Sequence, residues 1–412
     1  MANGKPFHLP HAEGEFSRQA HVNPPRGTFE RELGSEGFFG PATMMYHRNP
    51  PTAWSDMSGP LRPRAFDLKT TAPSPSVCHA RPVVHSSHMR LRYWVTSQST
   101  GDLFRNADGD DLLFVHQGSG DFFCDYGHLA YETGDYIVVP RGTMWRLETT
   151  VRCEFLLIEA TEASYGLPER GMLGPHALFD PAILDRPRLD AAFQGQVRGG
   201  TWRLIIKRHN ELTTVTYPFN PLDTVGWQGD RCVLRLNVRD FRPVTSESYH
   251  LPPSVATTFL TDKFIVCTLA PRLIETDPKA VKLPFWHNND DYEELVFNHR
   301  GTPGSHRALG EGMMTFHPIG MTHGRYPERM PGLFEAPVKK NNTYGVMIDS
   351  RVPLHFCDGM VEGEYLEYAD SWRAGIEYAP DAQRAPGQAL KTVMPAHEPA
   401  QCAPDQKVPV AN

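Results

Sequence analysis

Hydrophobic residues in this chain occur mainly in short runs of strand length, separated by polar residues and by 37 prolines and 34 glycines. Residues 90 to 160 contain four such runs: RLRYWVTS, DLLFVHQGSGDFFCDYG, HLAYETGDYIVVPRG and CEFLLIEAT. β-Branched and aromatic residues favour strands, and the turn residues between them end each strand. The pattern predicts a mainly β protein with a first barrel in this region.

A second set of runs predicts a second barrel: TTFLTDKFIVCTLAP, EELVFNHRG, GMMTFHPIG and YGVMIDSRVPL. The connection GLPERGMLGPHALFDPAILDRP predicts a surface segment with a short helix, and YLEYADSWRAGIEY predicts a short C-terminal helix. The first 64 residues are rich in proline, glycine, histidine and arginine, which is typical of extended arms. We therefore expect an arm and first barrel at 1–235, a second barrel at 236–378 and a mobile tail at 379–412.

Composition narrows the class of protein. The chain has 412 residues, a formal net charge of -7 and no cluster of lysines and arginines, which argues against a nucleic-acid partner. Its seven cysteines are scattered and form no CxxC pair, which argues against a disulfide framework or a structural zinc and favours a reducing cytoplasm. It shows neither a signal-peptide core nor a run of 18 apolar residues, so no membrane partner is expected.

The candidate chemistry lies in WHNNDDYEELVFNHRG and GEGMMTFHPIGMTHG, which carry His287, Glu294 and His323. Two neutral imidazoles and one carboxylate on a single face are the ligand set of a non-haem Fe(II) oxygenase. An antiparallel barrel brings inward positions of neighbouring strands together. Because adjacent strand residues face opposite sides, only one of Glu293 and Glu294 can point inward.

The same two segments resemble the motifs of the cupin superfamily. Glu294, six residues and Gly301 fit the first motif, and GMMTFHPIGMTH, from Gly312, fits the second. This register favours Glu294, whereas a variant spacing would select Glu293, so the two alternatives stay open. The first barrel repeats the pattern in degenerate form, with Asp111 for the glutamate and Trp145 for the last histidine, and we expect no metal there.

A closer resemblance is to the homogentisate 1,2-dioxygenase family. It rests on HNNDDYEELVFNHRG and FHPIGMTHG, with VGWQGD upstream and YADSW near the end, and it covers most of the chain. The resemblance implies Fe(II) held by the three ligands named above, His250 in SYHLPPS acting on the substrate hydroxyl, and His317 near the iron. It also implies a small aromatic substrate and O2, conversion of homogentisate to maleylacetoacetate in tyrosine and phenylalanine breakdown, and a homo-oligomer, either a trimer or a hexamer.

Departures from the family pattern leave alternatives. Arg325 stands where many members have a proline, and TPGSHRALG has no clear counterpart to a tyrosine and a lysine found in some members. In the first alternative, the substrate is another para-hydroquinone carboxylate, such as a gentisate-like ring, and Arg325 is the residue that anchors it. A non-catalytic metal-binding bicupin is a further alternative. Three other histidines are expected to be structural: His299, His306 and His355.

Overall fold

The computed structural model describes residues 10–282, 285–301, 309–326 and 340–373. Strands dominate these residues, which confirms the predicted mainly β class. In chain order they are β1 (Phe29–Gly34), β2 (Ala42–His47), β3 (Arg64–Asp67), β4 (Arg81–His85), β5 (Met89–Thr96), β6 (Leu103–Asn106), β7 (Gly109–Gln117), β8 (Ser119–Cys124), β9 (Gly127–Glu132), β10 (Asp135–Val139), β11 (Met144–Glu148), β12 (Cys153–Thr161), β13 (Gly199–Arg208), β14 (Glu211–Phe219), β15 (Leu234–Asn237), β16 (Thr257–Leu260), β17 (Phe264–Leu269), β18 (Trp286–Asn289), β19 (Glu293–Arg300), β20 (Met313–His317), β21 (Tyr344–Ser350) and β22 (His355–Phe356).

Helical structure in the described residues is short. The α-helix is α1 (Ala191–Gln194), and the 3-10 helices are Glu36–Phe38, Val77–His79, Gly171–Leu173, Pro181–Ile183, Val238–Asp240, Pro253–Ala256, Val361–Gly363 and Leu366–Trp372. The segment expected to form the C-terminal helix is therefore a 3-10 helix in its described part, and residues 374–412, with the expected tail, lie outside the described residues. No helix among the residues described is long and apolar enough to cross a membrane.

Two sheets build the first barrel. One has the order β15-β10-β7-β12-β5-β4-β22 and the other the order β14-β13-β6-β11-β8-β9. Their facing side chains form a closed apolar core that includes Trp94, Leu113, Trp145 and Phe155. Asp111 lies buried on β7, where it accepts a hydrogen bond of 3.0 Å from Asn106 Nδ2.

The second barrel contains the sheet β16-β17-β21-β19-β20-β3, and side chains pack on both faces of this sheet. Along β19, Leu295 and Phe297 belong to a large core shared with the first barrel, whereas Val296 packs with Ile265 and Cys267 on the opposite face. Neighbouring strand residues alternate between faces. Position 294 therefore shares the inner face with Val296.

The N-terminal segment differs from the expected extended arm. Strand β1 pairs in parallel with β18 and antiparallel with β2 in a three-stranded sheet, β18-β1-β2, and β3 pairs with β20 at the edge of the six-stranded sheet. Both contacts tie the N-terminal segment to strands of the second set. The local pattern conceals this because β1 buries Glu30 and Glu32, residues that normally mark a surface. Both carboxylates accept hydrogen bonds from the ring of His21, which satisfies them inside the protein. The division at residue 235 stays a prediction.

Candidate metal centre

The structure brings His287, Glu294 and His323 together. One donor atom from each lies within 4.8 Å of the others. His323 Nε2 is 3.6 Å from Glu294 Oε1, and the two imidazole rings have their centroids 4.2 Å apart. All three residues are buried. The arrangement matches a site for one metal ion bound by two nitrogens and one carboxylate.

The backbone fixes both histidines relative to each other. His287 and His323 exchange two main-chain hydrogen bonds, of 3.0 and 3.1 Å. His287 Nδ1 lies 3.0 Å from the carbonyl oxygen of Phe285, and His323 Nδ1 lies 3.2 Å from that of Met321. A carbonyl oxygen can only accept, so each Nδ1 carries the proton and each Nε2 carries the free lone pair.

Those two Nε2 atoms are buried and have no hydrogen-bond partner. A buried polar atom without a partner costs free energy, which a bound metal ion would remove. Burial lowers the pKa of His287 to about 3 and so favours the neutral, ligating form. The donor set therefore fits a divalent metal such as Fe(II).

Glu294 and Glu293 have different surroundings. Burial alone would raise the pKa of Glu294, but the hydrogen bond from His317 and the nearby ring of His323 hold it well below the usual value, so the inner carboxylate is ionised. Glu293 faces away from the centre, and its Oε2 accepts a hydrogen bond of 2.6 Å from the backbone N–H of Leu354. The geometry thus favours Glu294 as the ligand.

His317 lies beside Glu294 but has neither ring nitrogen free. Its Nδ1 donates to Glu294 Oε1 at 2.5 Å, and its Nε2 accepts from the hydroxyl of Tyr368 at 2.9 Å. Its ring stacks on His323 with centroids 4.2 Å apart. His317 is thus placed to orient the carboxylate rather than to add a fourth donor.

His250 shares a neighbour, Phe285, with the candidate ligand His287. Its Nδ1 lies 3.1 Å from Glu275 Oε1, and its Nε2 is buried without a partner. The ring of Phe285 contacts both His250 and His287, with centroid distances of 4.7 Å and 4.8 Å. Burial lowers the pKa of His250 to about 4, so it is neutral at physiological pH. Its Nε2 therefore carries a free lone pair.

Comparisons with known proteins indicate the family of this chain. A family model described as homogentisate 1,2-dioxygenase N-terminal matches residues 75–238. A provisionally named dioxygenase of Saccharolobus solfataricus is 31% identical over 356 residues, which are 81% of this chain and 90% of that protein. The chain belongs to the homogentisate 1,2-dioxygenase family. It is thereby a member of a family of oxygenases.

Two further comparisons give the degree of similarity to a named enzyme and to a solved structure. A homogentisate 1,2-dioxygenase of Bradyrhizobium diazoefficiens is 25% identical over 309 residues, covering 71% of this chain and 67% of that protein. Among solved structures, a cupin barrel protein from Leptotrichia buccalis is 8% identical, with a TM-score of 0.33, over 70% of this chain and 96% of that one. The sequence similarity to the Bradyrhizobium enzyme is therefore distant.

The structure adds residues to this dioxygenase-family site that the sequence did not reveal. Arg31 Nη1 donates to Asn288 Oδ1 at 3.0 Å and lies 3.4 Å from Thr322 Oγ1. Asn288 and Thr322 each adjoin a candidate ligand, and they bond to each other at 2.7 Å. Arg31 thus ties both ligand segments to β1. The sequence alone does not predict this contact, because it depends on the long-range pairing of β1 with β18.

Asp349 is a second such residue. It is the partner of Glu294 in the pairing of β19 with β21, and it is buried with no partner for Oδ1. Burial, together with the Glu294 charge, raises the pKa of Asp349 well above its usual value. The sequence does not reveal this neighbour of Glu294, because it does not give the register in which β21 pairs with β19.

The remaining candidates fall outside the centre. Arg325 is buried, and its Nη2 donates to the carbonyl oxygen of Lys282 at 2.6 Å, so part of the proposed substrate anchor is bound to the main chain. His299 is buried, with its Nδ1 3.0 Å from that of His116. His355 is exposed on β22. His306 lies outside the described residues.

Proposed function

We propose that this chain is an Fe(II)-dependent, ring-cleaving dioxygenase that converts homogentisate to maleylacetoacetate in tyrosine and phenylalanine breakdown. One observation carries the proposal: two buried imidazoles whose Nε2 atoms have no partner, those of His287 and His323, cluster with the carboxylate of Glu294. When bound by His287, Glu294 and His323, Fe(II) would supply a Lewis-acid and electron-transfer centre for O2 and the ring hydroxyl.

The chain's own residues supply the proton transfer. A neutral His250 can take the proton of a substrate hydroxyl on Nε2, which leaves the electron pair on the oxygen and raises the electron density of the ring. The Nδ1 hydrogen points to Glu275, whose negative charge stabilises the imidazolium formed. A positioned general base of this kind typically contributes about 10²–10⁴ in rate.

A line of hydrogen bonds keeps the ligand carboxylate in one orientation. Tyr326 donates to the hydroxyl of Tyr368 at 3.3 Å, Tyr368 donates to His317, and His317 donates to Glu294. The rings of Tyr326 and Trp372 stack with centroids 4.6 Å apart and shield this line from water. Groups behind a ligand that fix its orientation commonly affect metal affinity and activity.

The test uses matched single variants. His287→Ala, Glu294→Ala and His323→Ala should each lose bound iron and O2 uptake with homogentisate, because each removes one of three ligands. Glu293→Ala should keep both, since Glu293 bonds to the backbone of Leu354 on the other face of β19. Iron content is measured after Fe(II) loading, and O2 uptake with an electrode.

Loss of iron in Glu293→Ala but not in Glu294→Ala would reverse the assignment. An iron-loaded wild type that consumes O2 with gentisate but not with homogentisate would move the proposal to another para-hydroquinone carboxylate. Iron binding without any O2 uptake would favour a non-catalytic bicupin. The small aromatic substrate and O2 are the partners in this proposal, while assembly into trimers or hexamers and a cytoplasmic location stay predictions.

A further inference from the structure

His250 and Glu275 form a buried pair in which the direction of the hydrogen bond is determined. The exposed fractions of the two residues are 5% and 1%. The distance from His250 Nδ1 to Glu275 Oε1 is 3.1 Å. An ionised carboxylate can only accept, and the other polar neighbour of Nδ1, Arg272 Nη2, lies farther away at 3.5 Å. The shorter bond to Glu275 therefore assigns the hydrogen to Nδ1 and leaves Nε2 as the lone-pair nitrogen.

Arg272 keeps this carboxylate ionised and in place. Its Nη1 donates to Glu275 Oε1 at 2.9 Å. Burial alone would raise the pKa of Glu275, but the bond with His250 and the charge of Arg272 lower it to about 2. Arg272 is itself anchored, because its backbone exchanges hydrogen bonds of 2.8 and 3.0 Å with Asn341. Arg272 and Glu275 therefore lie on an anchored loop after β17, and His250 reaches this loop from the segment before β16.

A positive charge lies on the other side of His250. The ring of His21 meets that of His250 edge-on, with centroids 5.8 Å apart. Its nitrogens bond to Glu30 at 2.8 Å and to Glu32 at 3.1 Å. Although burial opposes the charged form, these two carboxylates raise the pKa of His21 to about 9. This imidazolium disfavours a second positive charge on His250 in the resting protein.

We propose that Glu275, held by Arg272, is a positioning residue that fixes His250 as the Nδ1–H tautomer, so that Nε2 receives the substrate's hydroxyl proton. The proposal rests on the proposed function. In the proton-transfer step the substrate O–H bond breaks, an N–H bond forms at Nε2, and the electron pair stays on the substrate oxygen. Glu275 contacts only the far nitrogen and acts through His250.

Two substitutions separate the parts of this role. Glu275→Gln can still accept from Nδ1 through its amide oxygen, because His250 and Arg272 both bond to the same atom, Oε1. It removes the charge but keeps the tautomer. Glu275→Ala removes both. Glu247→Gln is the matched control, since Glu247 is exposed in the same region and its side chain bonds to Thr276.

The first readout does not depend on activity. The full-length chain, labelled with ¹⁵N-histidine and loaded with diamagnetic Zn(II), reports the tautomer of each ring by NMR, with His250 assigned through His250→Gln. We expect Nδ1–H for His250 in the wild type, in Glu275→Gln and in Glu247→Gln. In Glu275→Ala the proton should shift wholly or partly to Nε2. An unchanged tautomer in Glu275→Ala would overturn the proposal.

The second readout is turnover of the Fe(II)-loaded chain. We expect kcat to fall about 10²-fold in Glu275→Ala and about tenfold in Glu275→Gln, with KM and iron content nearly unchanged and Glu247→Gln equal to wild type. If Glu275→Ala does not fold, Glu275→Gln decides: wild-type kcat in that variant contradicts the role of the charge. Wild type that takes up no O2 with any hydroquinone refutes the proposed function itself, whereas an active wild type with unaffected Glu275 variants refutes this proposal alone.

Discussion

Which ring nitrogen of each histidine is free determines what that residue can do. His287, His323 and His250 each bond through Nδ1 to an oxygen, which leaves three buried Nε2 atoms with lone pairs. His317 uses both nitrogens. Four histidines that look alike in the sequence therefore divide into two candidate ligands, one candidate base and one residue that orients the carboxylate.

Replacing His250 tests this division. His250→Ala should keep its iron, because no candidate ligand bonds to this side chain, and should lose about 10²–10⁴ in kcat because the general base is gone. Iron analysis and O2 uptake measure the two effects. His176→Ala, at an exposed position, serves as the control and should match wild type. Unchanged turnover in His250→Ala would make this histidine purely structural.

The sequence supplied the three candidate ligands because residue type and local spacing encode them. It left Glu293 and Glu294 open, since alternation gives two faces without saying which is inside. The structure separates them through neighbours: Phe297 packs in the shared core and Val296 in the barrel interior. Tautomers could not be predicted at all, because they depend on carbonyl oxygens placed by the folded chain.

At the scale of elements, strand β1 is the largest departure from the sequence-based expectation. Its partner β18 lies more than 250 residues away, and a local pattern does not encode such a pairing. Its buried glutamates also look like surface residues until His21 is placed between them. Through this strand the N-terminal segment supports both the candidate ligands and His250.

Arg31 connects β1 to the ligands. Arg31→Ala removes the bonds to Asn288 and Thr322 and should weaken iron binding about tenfold, a loss typical of groups that orient ligands. Competition with a chelator measures the dissociation constant. Arg26→Ala, an exposed change in the same segment, should leave it unaltered. Equal affinity in both variants would show that β1 does not support the centre.

The His21 cluster makes stability depend on pH. The pKa of His21 rises on folding from 6.5 to about 9. The stabilisation from the charged His21 ring is therefore complete below pH 6.5 and is lost as the pH rises through 9. We expect the free energy of unfolding to fall by at most about 3 kcal/mol over that range. Urea unfolding of wild type is compared with the variant carrying His21→Gln, Glu30→Gln and Glu32→Gln. An equally steep decline in the triple variant would assign the effect to other groups.

At the scale of the whole molecule, one apolar core joins the two barrels. Side chains of the first barrel, such as Phe114 and Tyr136, and of the second, such as Phe297 and Ile348, belong to the same cluster. One face of the sheet that carries Glu294 packs in this shared core, and the other face packs Val296 against Ile265 and Cys267. The sequence predicted both sets of strands, but not the core between them.

The central claim is that this scaffold carries out an O2-dependent ring cleavage. The most direct measurement is O2 consumption by the Fe(II)-loaded wild type on addition of homogentisate, with the product followed in parallel. The account predicts one O2 taken up per homogentisate and formation of maleylacetoacetate. An iron-loaded protein that consumes no O2 with homogentisate or any related hydroquinone would contradict it.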